Sequence, residues 1–139
     1  PPTATEVNRV KLGYTIIYVP DVAKSLSFFE AAFGLKRKFL HESGTYGELD
    51  TGETTLSFAA HELGDMNFSG GHVRASDSAQ PLGVEIALVT DNVIKAHTSA
   101  VKAGAQELAA PVAKPWGQTV SYVRAPDGTL IELCTPIGG

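Results

Sequence analysis

The chain has a single cysteine, Cys134, among its 139 residues. One thiol excludes an internal disulfide and a cysteine-based zinc site, and it fits a reducing compartment such as the cytoplasm. Lys and Arg number 11 against 15 Asp and Glu, a net charge of −4. The one basic run, KRK at 36–38, reads as the solvated face of an edge strand. No basic footprint for nucleic-acid phosphates is present. No apolar run is long enough to cross a bilayer. The opening PPTATEVNRV lacks the apolar segment of a signal peptide, and Pro1 reads as a trimmed or processed start. There is no G-x-S-x-G nucleophile motif, no glycine-rich phosphate loop, and no histidine pair at i, i+4 or H-x-H spacing.

What is present is an ordinary globular composition, 43% hydrophobic and 19% charged, at a length that suits one compact domain. KLGYTIIYV (11–19) has strand composition, and Pro20 ends it. Asp21 caps a helix to Gly34, with Val22, Leu26, Phe29 and Phe33 along one face. Strands follow at 35–42, 45–50 and 54–62, with turns at 43–44 and 51–53. Residues 63–82 lack periodicity and read as a long loop, the kind that is functional or joins modules. The order then restarts. GVEIALVT (83–90) is a strand, and 91–104 a helix capped by Asp91 or Asn92. Strands follow at 105–113, 118–125 and 128–135, the last two joined by the PDG turn at 126–128. Aligning the two starts places Tyr14 on Glu85, Val22 on Val93 and Lys24 on Lys95, as an internal duplication would.

The segments YTIIYVPDVAKSLSFFEAAFGL, VEIALVTDNVIKAHTSAVKAGA, KPWGQTV and APDGTLIEL together resemble the vicinal oxygen chelate superfamily, which includes glyoxalase I, bleomycin-resistance proteins and extradiol dioxygenases. The resemblance spans most of residues 11–135 and implies an α+β fold of two βαβββ modules, 11–62 and 83–135, joined by the 63–82 linker into one structural domain. Each sheet would curl into a half-open, concave surface with its helix behind. In many relatives of this length a homodimer completes the cavity.

Strand alternation then assigns faces. Ile131 and Leu133 turn to the helices; Leu130, Glu132 and Cys134 turn to the cavity. Ile86 and Leu88 point back; Glu85, Ala87 and Val89 point in. Tyr14, Ile16 and Tyr18 point in, and so do Ser57, Ala59 and His61. A carboxylate on such a face needs a partner. The metal positions that the resemblance implies fall on Tyr14, Ser57, Glu85 and Glu132. Two of these are poor ligands, so no catalytic transition metal is expected. Two carboxylates and water can hold at most a loosely bound divalent ion.

The expected ligand-binding set is Tyr14, Tyr18, Ser57, His61, Glu85, Trp116, Tyr122 and Glu132, a small-molecule pocket of aromatics and acids. Trp116 either covers the ligand or fills a dimer interface. His97 reads as helix packing, His72 as a solvated loop residue, and Cys134 as a small buried hydrophobe. Two functions follow. One is metal-free sequestration of a planar or cationic small molecule. The other is a glyoxalase-type lyase or isomerase with Glu132 or Glu85 as acid or base. The expected partners are the small molecule and a second copy, with no nucleic acid or membrane.

Overall fold

The structure, a computed structural model, describes residues 9–137. The first half contains β1 (Tyr14–Val19), α1 (Val22–Phe33), β2 (Lys36–Leu40), β3 (Tyr46–Asp50), β4 (Thr55–Ala60) and a short α2 (His61–Asn67). The second contains β5 (Glu85–Val89), α3 (Val93–Lys102), β6 (Gln106–Ala113), β7 (Thr119–Arg124) and β8 (Leu130–Cys134). Each half forms one four-stranded sheet, in the orders β1-β4-β3-β2 and β5-β8-β7-β6. The strand before each long helix returns to pair in parallel with the last strand of its unit.

Local chemistry sets the element ends. The Asp21 carboxylate accepts the Lys24 N–H at 3.1 Å, and Asn92 accepts that of Lys95 at 3.0 Å, each satisfying a helix donor that has no partner within the helix. Gly34 terminates α1 in the left-handed region at φ 68°. β2 and β6, the outer strands, both contain register shifts that bend them and curl the sheets.

The core lies on the helical side. Leu26 and Phe29 of α1 meet Leu49 and Phe58 of the first sheet, while Ile131, Leu133 and Val123 of the second sheet close against α3 and join the same cluster. Burying each such side chain contributes about 1.5–3 kcal/mol. α1 and α3 pack against each other, so the halves share one interior. A buried hydrogen bond reinforces the junction: Ser25 of α1 donates to Asp127 at 2.6 Å, and Asp127 also accepts the Thr129 N–H and hydroxyl. His97 of α3 is buried between Ser121 of β7 (2.9 Å) and Glu107 of β6 (2.6 Å). The Ser-His-Glu order suggests a nucleophilic triad, but Ser121 is fully buried on the helix side, so the chain of bonds ties α3 to its sheet.

Two expectations need correction. The fourth strand ends at Ala60 rather than continuing to 62, because its partner β1 ends at Val19 before Pro20. Residues 61–67 turn into α2, so His61 leaves the strand and loses its parity with Ser57. The 63–82 segment is also not a bare loop. It begins within α2 and has a 3-10 turn at Ala75–Asp77. Arg124 holds it down, donating to the carbonyls of Ala75 (2.8 Å) and Ser78 (2.9 Å). The linker crosses so close to the PDG turn that a Cβ on Gly128 would collide with the Ala75 carbonyl, and Gly128 has φ +95°.

Gly34 and Gly128 therefore differ in a measurable way. Gly34→Ala meets open space and should lose about 1–2 kcal/mol from left-handed strain alone. Gly128→Ala should lose several kcal/mol, roughly the strain plus a 1–3 kcal/mol overpacking cost, in denaturant unfolding. Equal losses would mean that the linker is not seated on the turn.

Candidate functional site

Each sheet has its long helix against one face, and at one end of the first sheet's other face the short α2 packs on Tyr18. On the other face of the second sheet, β5 presents Glu85, Ala87 and Val89, and β8 presents Leu130, Glu132 and Cys134. Ala87 is opposite Glu132 on one side, and Tyr122 of β7 is opposite it on the other. Ile86, Leu88, Ile131 and Leu133 face the core, as alternation requires.

The two acids come together. Glu85 and Glu132 lie within hydrogen-bonding reach of each other, and the Tyr122 hydroxyl donates to Glu132 Oε1 at 2.9 Å. Their titrations are pushed apart. The hydrogen bond to Glu132, then burial, then the neighbouring negative charge raise the Glu85 pKa. For Glu132, burial acts upward, but hydrogen bonds from Glu85, Tyr122 and Cys134 outweigh it and hold the group below the ordinary carboxylate range. The pair therefore titrates as a unit, with its two proton losses pushed apart. The bond to Glu132 raises the Tyr122 pKa; burial and then Glu132 raise that of the Cys134 thiol, so Cys134 is a protonated, buried neighbour.

The first sheet has its own polar cluster. Ser57 is fully buried opposite both Ile16 and Glu48. The Tyr46 hydroxyl donates to Glu48 Oε2 at 2.7 Å and lies 3.0 Å from Ser57 Oγ. Lys38 Nζ is 3.7 Å from Glu48. Burial, above all, raises the Tyr46 pKa. Tyr46 and Glu48 were absent from the expected set. Their alternation in TYGELD puts both on one face, and the missing signal was the acid's position on β3 rather than β4. Glu48 stands opposite Ser57 as Tyr122 stands opposite Glu132, so each sheet holds a tyrosine–glutamate couple on its uncovered face.

The other expected residues divide. Tyr14 and Ile16 project from β1 with 57% and 45% exposure. Trp116 is 62% exposed in the turn between β6 and β7, donating its indole N–H to Gln118 at 2.7 Å. Tyr18 turns away to another group: its ring lies 4.8 Å from that of His72, with Phe68 at its edge. His61, 1% exposed, is hydrogen-bonded through Nδ1 to His72 Nε2 at 2.9 Å. His61 is therefore held within the α2–linker packing, because the helix turn at residue 61 carries it inward. Burial, then Arg74, then His72 lower its pKa. His72 is not a solvated loop residue. It stacks between Tyr18 and His61, against a glycine, Gly64, that leaves it room.

The four positions at which metal-dependent relatives hold an ion are Tyr14, Ser57, Glu85 and Glu132. They offer a phenol, a buried hydroxyl and two acids that already hydrogen-bond each other. Among the described residues no three His, Cys, Asp or Glu side chains converge as a metal site. This donor set does not fit a transition ion, which needs several N, S or carboxylate ligands.

Two helix-backed βαβββ sheets with polar groups gathered on their uncovered faces define a glyoxalase-like fold. The profile of the Glyoxalase/Bleomycin resistance protein/Dioxygenase superfamily matches residues 11–133, and the chain belongs to that superfamily. Similar solved structures include a glyoxalase-related enzyme from Fulvimarina pelagi (20% identity, TM-score 0.77, covering 91% of this chain and 88% of that one). A glyoxalase/bleomycin resistance protein/dioxygenase family enzyme from Burkholderia phytofirmans PsJN is 22% identical, with TM-score 0.70 and coverage of 91% and 98%. TioX from Micromonospora sp. ML1 is 16% identical, with TM-score 0.65 and coverage of 91% and 98%. At these identities the likeness is one of fold. No curated protein matches the chain at a significant level.

Because the first cause of the Glu85 shift is its bond to Glu132, Glu132→Gln should return Glu85 to the ordinary carboxylate range in a carboxyl-carbon NMR titration. Glu85 titrating normally in the unsubstituted protein would dissolve the pair.

Proposed function

We propose that the protein binds a small planar molecule, preferably cationic, against the open faces of its sheets and sequesters it without a catalytic transition metal. The observation that carries this reading is the Glu85–Glu132–Tyr122 cluster. Two carboxyl groups this close repel each other once both are ionised, and a cation between them would relieve that repulsion. Binding releases the proton from Glu85 and puts a positive charge between two negative ones. The apolar exposure of Tyr14, Ile16, Val89 and Trp116 supports a second copy as the other wall, since uncovered sheet faces of this kind are normally closed by packing. We place this binder in the cytoplasm, where the free thiol of Cys134 stays reduced. No helix among the described residues is long and apolar enough to cross a membrane.

A second reading rests on the divergent protonation of the same pair. A proton-bearing Glu85 beside an ionised Glu132 is also the arrangement of a general acid and base, which would suit a lyase or isomerase moving a proton next to a carbonyl. Glu85 would give the proton and Glu132 would take one, with the Tyr122 hydroxyl fixing Glu132 in place.

Calorimetric titration with ethidium, a planar aromatic cation, tests the first reading. Glu132→Gln should weaken binding by about tenfold or more, the worth of one charge-assisted contact. Affinity should rise with pH as Glu85 loses its proton across its raised pKa, because the cation prefers the doubly ionised pair. Added salt should weaken it. A neutral planar analogue binding equally well, or an affinity unchanged by Glu132→Gln, would overturn the cation-binding reading. Stoichiometric Zn, Ni, Mn or Fe in the purified protein would overturn its metal-free part.

A further inference from the structure

β1 and β5 are the neighbouring edge strands of the two sheets, and each forms ladder bonds only on its far side, with β4 and β8 respectively. Between them, beneath the linker, lies a cavity of about 250 Å³. Ile16 and Ile17 form one wall. Ile86, from the core face, and Leu130, from the uncovered face, line its other side at the strand edges, and Leu82 and Val84 lie where the linker rejoins the chain. Tyr18 and His72 line it as well. No Asp, Glu, Lys or Arg is among the residues lining this hollow.

The roof is built rather than draped. Arg124 donates to the Ala75 and Ser78 carbonyls, His61 hydrogen-bonds His72, and the Ala75 backbone rests directly on Gly128. The hollow is half open, with Val73 and Val84 on its rim 71% and 73% exposed, so a guest can enter it from solvent. A cavity of roughly 150 Å³ accommodates one benzene ring, so this one is large enough for a fused pair of rings. The facing strand edges add backbone N–H and C=O groups available to one polar atom of a guest.

We propose that this inter-sheet cavity is a second binding site, distinct from the glutamate cluster, for a small neutral bicyclic aromatic molecule bearing a single hydrogen-bonding group. The aliphatic walls take the ring faces, and the Tyr18–His72 stack takes one ring edge. A free strand-edge carbonyl or N–H pairs with the polar atom. Acidic and basic compounds are disfavoured, since no Asp, Glu, Lys or Arg lines the hollow. The preference is thus the opposite of that proposed for the Glu85–Glu132 pair, and it does not rest on that reading.

Indole is a suitable probe. Titrated into the full-length protein with methyl-resolved NMR, it should saturate at one equivalent and shift the methyls of Ile16, Ile86 and Leu130. Val84→Phe, a change at an exposed position on the cavity wall, should weaken binding by about tenfold by filling the space. Glu132→Gln should leave it unchanged, whereas it should weaken ethidium binding if the first proposal holds. Absence of saturation at millimolar indole would overturn the proposal. So would shifts confined to the Glu132 face, or an affinity that follows Glu132→Gln rather than Val84→Phe. Should Val84→Phe fail to fold, the methyl map of the unsubstituted protein still decides.

Discussion

A twisted sheet with a helix on only one of its faces is half a structure, and that constraint governs this protein. Four strands of five to eight residues and one helix cannot enclose a core by themselves. Duplication solves half of the problem, because α1 and α3 pack against each other and the two units share one apolar interior. It leaves the opposite faces largely uncovered, and there the chain sets tyrosines and glutamates among apolar residues such as Leu130 and Val89. Stability and chemistry are thereby separated by strand parity: Ile131 and Leu133 serve one, Glu132 between them serves the other.

The uncovered faces also show what two copies of one ancestral unit can become. Both have a phenol hydrogen-bonded to an acid, but the acid sits on β3 in one sheet and β8 in the other. In the first sheet Lys38 approaches Glu48, giving a locally balanced pair. In the second, Glu132 has another acid as its neighbour. The difference is one of charge: one sheet pairs its acid with a lysine, the other with a second acid.

The fold was legible from the sequence where local chemistry decides it. Asp21, Asn92 and Gly34 mark helix ends through bonds within a few residues, and the alternation of residues 130–134 needs only the pleat. The convergence of Glu85 and Glu132 followed from the same parity, carried by parallel pairing of β5 with β8. What was not legible depends on distant partners. α2 exists because β1 ends at Pro20 and gives β4 nothing further to pair with. His72 acquires its place from Tyr18 and His61, and a flanking sequence of Gly, Ser and Asp gives no hint of that. Tyr46 and Glu48 were visible as a same-face pair, but no expected ligand position drew attention to β3.

The bond between Ser25 and Asp127 joins residues 102 apart in the chain. During synthesis α1 therefore emerges long before either α3 or the turn that it grips. Until then Phe28 and the surfaces that meet the second unit have no cover from that unit. A chain cut before residue 123 therefore lacks Val123, Ile131 and Leu133 of the shared interior as well as the carboxylate that Ser25 grips.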